Sequence, residues 1–534
     1  MNKLDFIKKN ELKIQNILFL VLFLLCWRNI DDFGVSIDDE IYYLNGVNTY
    51  EYIKHFFLSF NNKDINLQEY RNQLKEWPII FELLLVFICE ILNINKIEKI
   101  YLISHQLNFI IFFISLFYFY KLINKRFNNN LLAYLSVLFL ILSPRIFAES
   151  FYNSRDIFFM SLFIFFIYYC FCFVENKNYL NLFKLSFFSA LLINAKVLGL
   201  IPFLTFCFLY TYNFLNTKKR FYKNMNKIFF FIILNFLFIY LFWPYLWNNP
   251  IINLYTAFRD ILIYHENLIV LNFYFGEYIE STSTPWHYRI VWFLITTPLI
   301  ILFLFFCGIA LSAKKFIFDI KKTFVAEYRI EAKEFIDLFL FLILIGSLFT
   351  VIEFNRSKFG GWRHIYYLYP LILYFSIDFF DFILRKKFNN LKILIILLTI
   401  LNLTFNLSWI YKNHPNQYVY FNLANKKYFM NNFDLDWWGI SHKEAINYIL
   451  NNDKNKKIKI NGKGFTSLRD SVLYLPQDKK SRVILTNIND ADYIIDNKMK
   501  RVRDYRKNDD IKFEEYYNIK VDGFIINKVL KKVN

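Results

Sequence analysis

Apolar runs of bilayer-crossing length recur along this chain, and Lys and Arg cluster in short segments between them. A hydrocarbon core about 30 Å thick takes roughly 20 apolar residues as a helix. The pattern predicts helices at about 14–27, 100–120, 130–142, 157–174, 181–195, 197–214, 228–243, 290–311, 335–352, 365–384 and 392–410. With Lys3, Lys8 and Lys9 inside, this arrangement puts the clusters KLINKR (121–126), TKKRFYKNMNK (217–227), AKKFIFDIKK (313–322) and RKK (385–387) inside as well, as the positive-inside rule requires. The expectation is an α-helical polytopic membrane protein with about eleven transmembrane helices. WPIIFELLLVFICEIL (77–92) is apolar too, but counting it as a span inverts every later loop, and Glu82 and Glu90 make it a costly lipid-exposed helix. It reads as a partly inserted helix of the first outer loop, 30–99. The amino-terminal run has a basic flank but no small-residue cleavage site, so it reads as an uncleaved first helix.

After Tyr411 the apolar runs stop. A helix at about 441–450 precedes strand-like runs at 457–460, 482–486 and 492–496, and a last hairpin turns at Val521-Asp522-Gly523. Two regions are therefore expected: a membrane region, 1–411, and a small soluble α/β domain, 412–534, outside the membrane.

Composition changes this picture little. The net charge of +19 suggests nucleic acid at first sight, but the cations cluster in loops between apolar runs, where they face anionic lipid. No nucleic acid partner is expected; membrane lipid is. The six cysteines lie in apolar stretches without metal-ligand or disulfide spacing.

The unusual polar residues gather in the outer loops. Asp38-Asp39-Glu40 directly follows the first span and opens an amphipathic stretch. One carboxylate would satisfy a helix N-terminus, and three leave an excess for chemistry. SPRIFAESFYNSRD (143–156) offers Arg145, Glu149, Arg155 and Asp156, with arginines whose forked guanidinium suits phosphate oxygens. Lys196 sits in a tight turn between two apolar runs, either snorkelling or binding phosphate. STSTPWHYRIVWFLITTP (281–298) places Trp286, His287 and Arg289 at the outer end of a helix, and GGWRHIYYLYP (360–370) does the same with Arg363 and His364. Two Trp/Arg/His clusters on one side favour a polyanionic ligand.

In their order and sidedness these pieces resemble the C-type glycosyltransferases that use lipid-linked sugars, most nearly the family of protein O-mannosyltransferases and the lipid A aminoarabinose transferase. The resemblance runs through most of residues 30–370, and HPNQYVYFN and FDLDWWGISHKEA (414–445) look like the end of a bacterial subgroup. It implies an inverting transfer from a polyprenyl-phosphate sugar donor to a lipid, glycan or protein, at the periplasmic face of a bacterial inner membrane. The first-loop base then matches Asp39-Glu40, with Asp38 as an extra carboxylate. The second-loop acid matches Asp156, with Glu149 as the alternative. Some members bind a divalent metal and others do not, and no His/Cys spacing here decides between them. The donor phosphate is expected on Lys196, Arg363 and His364, with Arg145 or Arg289 assisting. Trp437 and Trp438, near the membrane, are suited to stack on sugar faces. The rival class is a lipid-linked-sugar flippase or polysaccharide transporter, which needs ionisable residues near the midplane and open to both faces.

Overall fold

The computed structural model describes residues 3–60, 66–74, 79–215, 221–267, 269–323, 330–353, 358–387, 389–422, 425–463, 468–497 and 512–533. The basic residues at 217–220, the start of the 77–92 run and residues 354–357 lie outside these. Among the described residues six helices are long and apolar enough to cross a membrane: Ile97–Phe127, Asp156–Glu175, Met225–Phe242, Leu299–Ile317, Arg363–Arg385 and Asn389–Lys412. The bent pair Asn130–Ile141 and Pro144–Tyr152 passes as a seventh, and Tyr179–Ala195 and Val197–Asn213 are shorter apolar helices.

The departures from straight spans have local causes. The predicted span 130–142 is only the helix Asn130–Ile141, opened by the Asn129 side chain, which accepts from Leu131 and Leu132 N–H. It then turns by 69° into Pro144–Tyr152, whose first residue is a proline with no N–H to satisfy. The predicted span 290–311 is broken into Tyr288–Thr296 and Leu299–Thr323. Pro298 forces Thr297 into extended geometry, φ −100° and ψ 138°, and the first helix stops there. The 77–92 run forms a 12-residue helix, Ile80–Ile91, about 18 Å long and too short to cross. It packs on Asp39–Ser59 at Gly46, where a Cβ would lie 2.9 Å from the Glu82 carbonyl oxygen.

The helix Asp156–Glu175 is the centre of the bundle, with most of its length buried, and aromatic side chains fill the space around it. Phe159 and Phe163 meet the Tyr367 ring edge-on at 5.0 and 5.4 Å. Such rings pack large apolar area in fixed geometry.

Two sheets complete the fold. Strands β1 (Leu271–Tyr274) and β2 (Glu277–Glu280) form a hairpin that the sequence pattern did not announce. Past Lys412, β3 (Ile458–Lys463), β4 (Val483–Leu485), β5 (Tyr493–Asn497), β6 (Phe513–Val521) and β7 (Phe524–Lys532) make one sheet in the order β4-β3-β5-β7-β6. β3 pairs parallel with β4 and β5, and β7 pairs antiparallel with β5 and β6. The β6–β7 turn places Asp522 at φ 50° and Gly523 at φ 85°, the left-handed pair that a two-residue hairpin loop needs.

The polar residues are not all at one end of the bundle. At the far end, Arg126 Nε donates to Asp337 at 2.7 Å, Tyr374 binds the same carboxylate, and Lys315 pairs with Asp378 at 2.7 Å. The expected one-sidedness is corrected in this respect: charges occupy both ends, but those at the far end are paired with each other.

Candidate functional site

The three acidic residues after the first helix go three different ways. Asp38 holds the N-cap position of Asp39–Ser59 but makes no side-chain cap; its Oδ2 instead accepts from Arg363 Nη1 at 2.9 Å. Asp39 turns back, and its Oδ2 accepts the Ser36 N–H at 2.9 Å. Burial raises its carboxyl to about 7, with Asp38 and Asp470 adding to the effect. Glu40 faces the C-terminal region and pairs with Arg469 at 2.8 Å. A helical start fans consecutive side chains over about 100° per residue, so adjacent carboxylates cannot share one partner.

Around Asp38 the charges alternate. Arg363 Nη1 lies 4.0 Å from Asp156 Oδ2, and Lys196 binds the other oxygen of Asp156. Asp156 is placed by the Asn153 turn: its N–H donates to Asn153 Oδ1 at 3.0 Å, while Asn153 Nδ2 donates to Asp156 Oδ2 and to Glu149 Oε2 at 3.0 and 2.7 Å. Tyr366 donates to the other oxygen of Glu149 at 2.6 Å. Lys196 stands in extended backbone between two helices, and burial pulls its ammonium below the usual lysine range against the opposing pull of Asp156. The guanidinium of Arg363 also lies over the Trp438 ring, 4.6 Å from its centre.

Arg289 is different. It is 1% exposed, and among the described residues none of its three guanidinium nitrogens has a hydrogen-bond partner. Among the described residues no carboxylate pairs with it, and Arg363 and Lys358 are close enough to repel it. Lys358 is buried as well, its Nζ 3.5 Å from the Thr284 carbonyl. Burying an unpaired guanidinium is strongly unfavourable, so this end of the site is built for an anion.

Of the residues singled out from sequence, Asp38, Asp156, Glu149, Lys196 and Arg363 form one hydrogen-bonded and ionic network. Arg145 stands beside it, 5.5 Å over the Trp292 ring. Arg155 borders it through Tyr42, lying over that ring at 4.3 Å and 3.9 Å from Glu82. His364 sits edge-on to Phe359 at 5.1 Å. Trp286 is exposed, and His287 Nδ1 meets the Tyr274 hydroxyl at 2.8 Å, away from the carboxylates. Asn153, Lys358 and Tyr366 were missed. The first and last lie inside the quoted SPRIFAESFYNSRD and GGWRHIYYLYP segments, where their neutral side chains drew no notice. Among the described residues no group of three or more His, Cys, Asp or Glu could hold a metal ion. Asp38 and Asp156 converge on a guanidinium instead.

No protein-family model matches the sequence, and no curated protein matches it. Among solved structures the fold is similar to that of ArnT from Cupriavidus metallidurans in the apo state (TM-score 0.48, 11% identity, 97% of this chain and 98% of that one). The same enzyme bound to undecaprenyl phosphate gives a TM-score of 0.46 at 11% identity over 97% of each chain. The Archaeoglobus fulgidus oligosaccharyltransferase in complex with zinc and sulfate gives 0.43 at 12% identity, over 79% of this chain and 60% of that one.

Proposed function

We propose that this chain is a membrane glycosyltransferase that moves a sugar from a polyprenyl-phosphate donor to an acceptor hydroxyl at the outer membrane face. The observation that carries the reading is the buried Arg289, unpartnered among the described residues, next to Lys358 and beside a network that ends in a partly exposed carboxylate. Asp38 takes the acceptor proton, the acceptor oxygen forms a bond to the anomeric carbon from the side opposite the phosphate, and the bond from that carbon to the phosphate oxygen breaks. The anomeric centre inverts. The leaving lipid phosphate gains negative charge, which Arg289 and Lys358 meet without reorganising. Arg363 keeps Asp38 aimed, and Asp156 holds Arg363 and Lys196 in place.

Asp38, rather than the Asp39 expected from the resemblance, is assigned as the base. Its carboxylate belongs to the network, whereas that of Asp39 is engaged by Ser36. Arg469 draws Glu40 away in the same manner. The phosphate seat shifts likewise, from Lys196, Arg363 and His364 toward Arg289 and Lys358, because Lys196 and Arg363 already have carboxylate partners. The region after Lys412 carries Arg469, Lys443 and His414 onto Glu40, Asp31 and Asp32 and is read as an extracytoplasmic lid on the site. The test is transfer by purified protein in lipid with polyprenyl-phospho-sugars: lipid phosphate should be released only when an acceptor is present. Release that never depends on an acceptor would end the transferase reading.

A further inference from the structure

The transfer chemistry makes no use of Glu82, and its place is a costly one. The residue is 2% exposed, and among the described residues neither carboxylate oxygen has a hydrogen-bond partner. Helical spacing puts it on the buried face of Ile80–Ile91, with Leu85, Val86 and Cys89. Burial raises its carboxyl, and the cation that opposes this is Arg155, whose Nη1 lies 3.9 Å from Glu82 Oε2. A leucine would fill the same face without leaving a carboxyl group out of water.

The helix Asp39–Ser59 accounts for the position. Asp38, Tyr42 and Gly46 follow at four-residue spacing and share one stripe, and the Tyr42 N–H donates to the Asp38 carbonyl at 3.2 Å. Asp38 meets Arg363, the Tyr42 ring lies 4.3 Å from the Arg155 guanidinium, and Gly46 meets Glu82, whose Cβ would lie 3.0 Å from one added there. Arg155 is also the N-cap residue of Asp156–Glu175. Glu82 therefore touches the helix led by Asp38 directly and reaches the helix that begins at Asp156 through Arg155. The charges balance in the same way: Glu82, Asp38 and Asp156 stand against Arg155, Arg363 and Lys196. Without the charge of Glu82 one cation is left over.

We propose that Glu82 is a positioning residue of the transfer reaction, an inference that rests on the glycosyltransferase reading. Through Arg155 and Tyr42 it fixes the first turn of Asp39–Ser59, and with it the place of Asp38 relative to Asp156 and the acceptor. Arg155 then belongs to this brace and not to the substrate. A small displacement of a reacting group is enough to slow a bound reaction, so the brace acts on turnover and leaves donor binding alone.

The full chain in lipid nanodiscs, with 3-fluorotyrosine at position 42, tests this as wild type, Glu82→Gln, Glu82→Asp, Arg155→Gln and the double variant Glu82→Gln/Arg155→Gln. Glucosyl and mannosyl esters of C55 polyprenyl phosphate serve as donors and methyl glycosides as acceptors, and fluorine NMR reports on Tyr42. Glu82→Gln is expected to lower kcat about ten- to hundredfold with the donor KM nearly unchanged, and to move the Tyr42 resonance. Glu82→Asp should recover most of both. The double variant should be no slower than Arg155→Gln, because the pair acts as one unit. A Glu82→Gln protein that melts lower but keeps its kcat has lost a structural ion pair only, and that overturns the proposal. Should Glu82→Gln fail to fold, the double variant has no lone charge to bury and carries the kinetics; wild-type turnover in it overturns the proposal equally. Wild type that transfers from neither donor counts against the glycosyltransferase reading, and the Tyr42 resonance then decides the brace by itself: moved in Glu82→Gln it stands, unmoved it falls.

Discussion

Asp38 and Asp39 are neighbours in sequence with opposite surroundings, and their substitutions should separate accordingly. Asp38→Asn removes the proposed base and is expected to lower turnover by about 10²–10⁴-fold, with donor binding nearly unchanged. Asp39→Asn should leave most of the turnover and act on stability. The Asp39 carboxyl is raised to about 7 in the fold but titrates near 4 in an unfolded chain. The native state therefore holds the proton more tightly between those values, and the stability from protonated Asp39 is lost as pH rises through about 7. Thermal unfolding of the two proteins checks this: the variant should gain on wild type at pH 8, and its advantage should shrink toward pH 5. Arg289 offers a test of opposite signs. Arg289→Met removes an unpaired buried cation, so the lipid-free protein should melt higher, while the stabilisation that wild type gains from added polyprenyl phosphate should disappear. A merely structural arginine would lower the first melting point.

At the scale of elements, the site depends on interruptions. The bend after Ile141 carries Glu149, Asn153 and Asp156 onto the centre of the bundle, and the break at Pro298 leaves Arg289 on a short helix beside them. The packing of Asp39–Ser59 on Ile80–Ile91 positions Asp38 from the other side, through the close approach at Gly46. Gly46→Val is expected to force these helices apart and destabilise the protein by about 1–3 kcal/mol. Its signature is a loss of turnover together with a lower melting point, whereas Asp38→Asn should cost turnover alone. The 77–92 run was read as non-spanning because of Glu82 and Glu90, and its described helix, Ile80–Ile91, is too short to cross. Its packing on the helix Asp39–Ser59 at Gly46 was not legible, since nothing in the 77–92 run names its partner.

Across the whole molecule the two charged clusters differ in one respect that bears on transport. At the far end Arg126 is matched by Asp337 and Lys315 by Asp378, while the proposed phosphate end keeps Arg289 without a counter-ion among the described residues. Paired charges clamp helices together, and breaking such a pair is costly. Asp337→Asn should therefore destabilise the fold by about 3–5 kcal/mol while the surviving folded fraction keeps its turnover. A transporter would need the same path open from both faces. Cysteines placed at Lys358 and at Lys315 should each react from one side only, and from opposite sides, in inside-out and right-side-out vesicles; reaction at Lys358 from both sides would revive the transport reading.

The sequence by itself determined the class of the molecule, because apolar run length and basic clusters report the bilayer directly, and local turn chemistry such as Val521-Asp522-Gly523 sets a hairpin within a few residues. It also collected most of the charged side chains that the fold brings into one network, since carboxylates and guanidiniums at the ends of apolar helices stand out from their surroundings. What the tertiary structure decided was partnership. Asp38 and Arg363 are 325 positions apart, and no periodicity links them; only the folded bundle tells whether Asp38, Asp39 or Glu40 meets that guanidinium. The isolation of Arg289 is equally a three-dimensional fact, because lacking a partner is a property of all the neighbours in space and not of the residue or its segment.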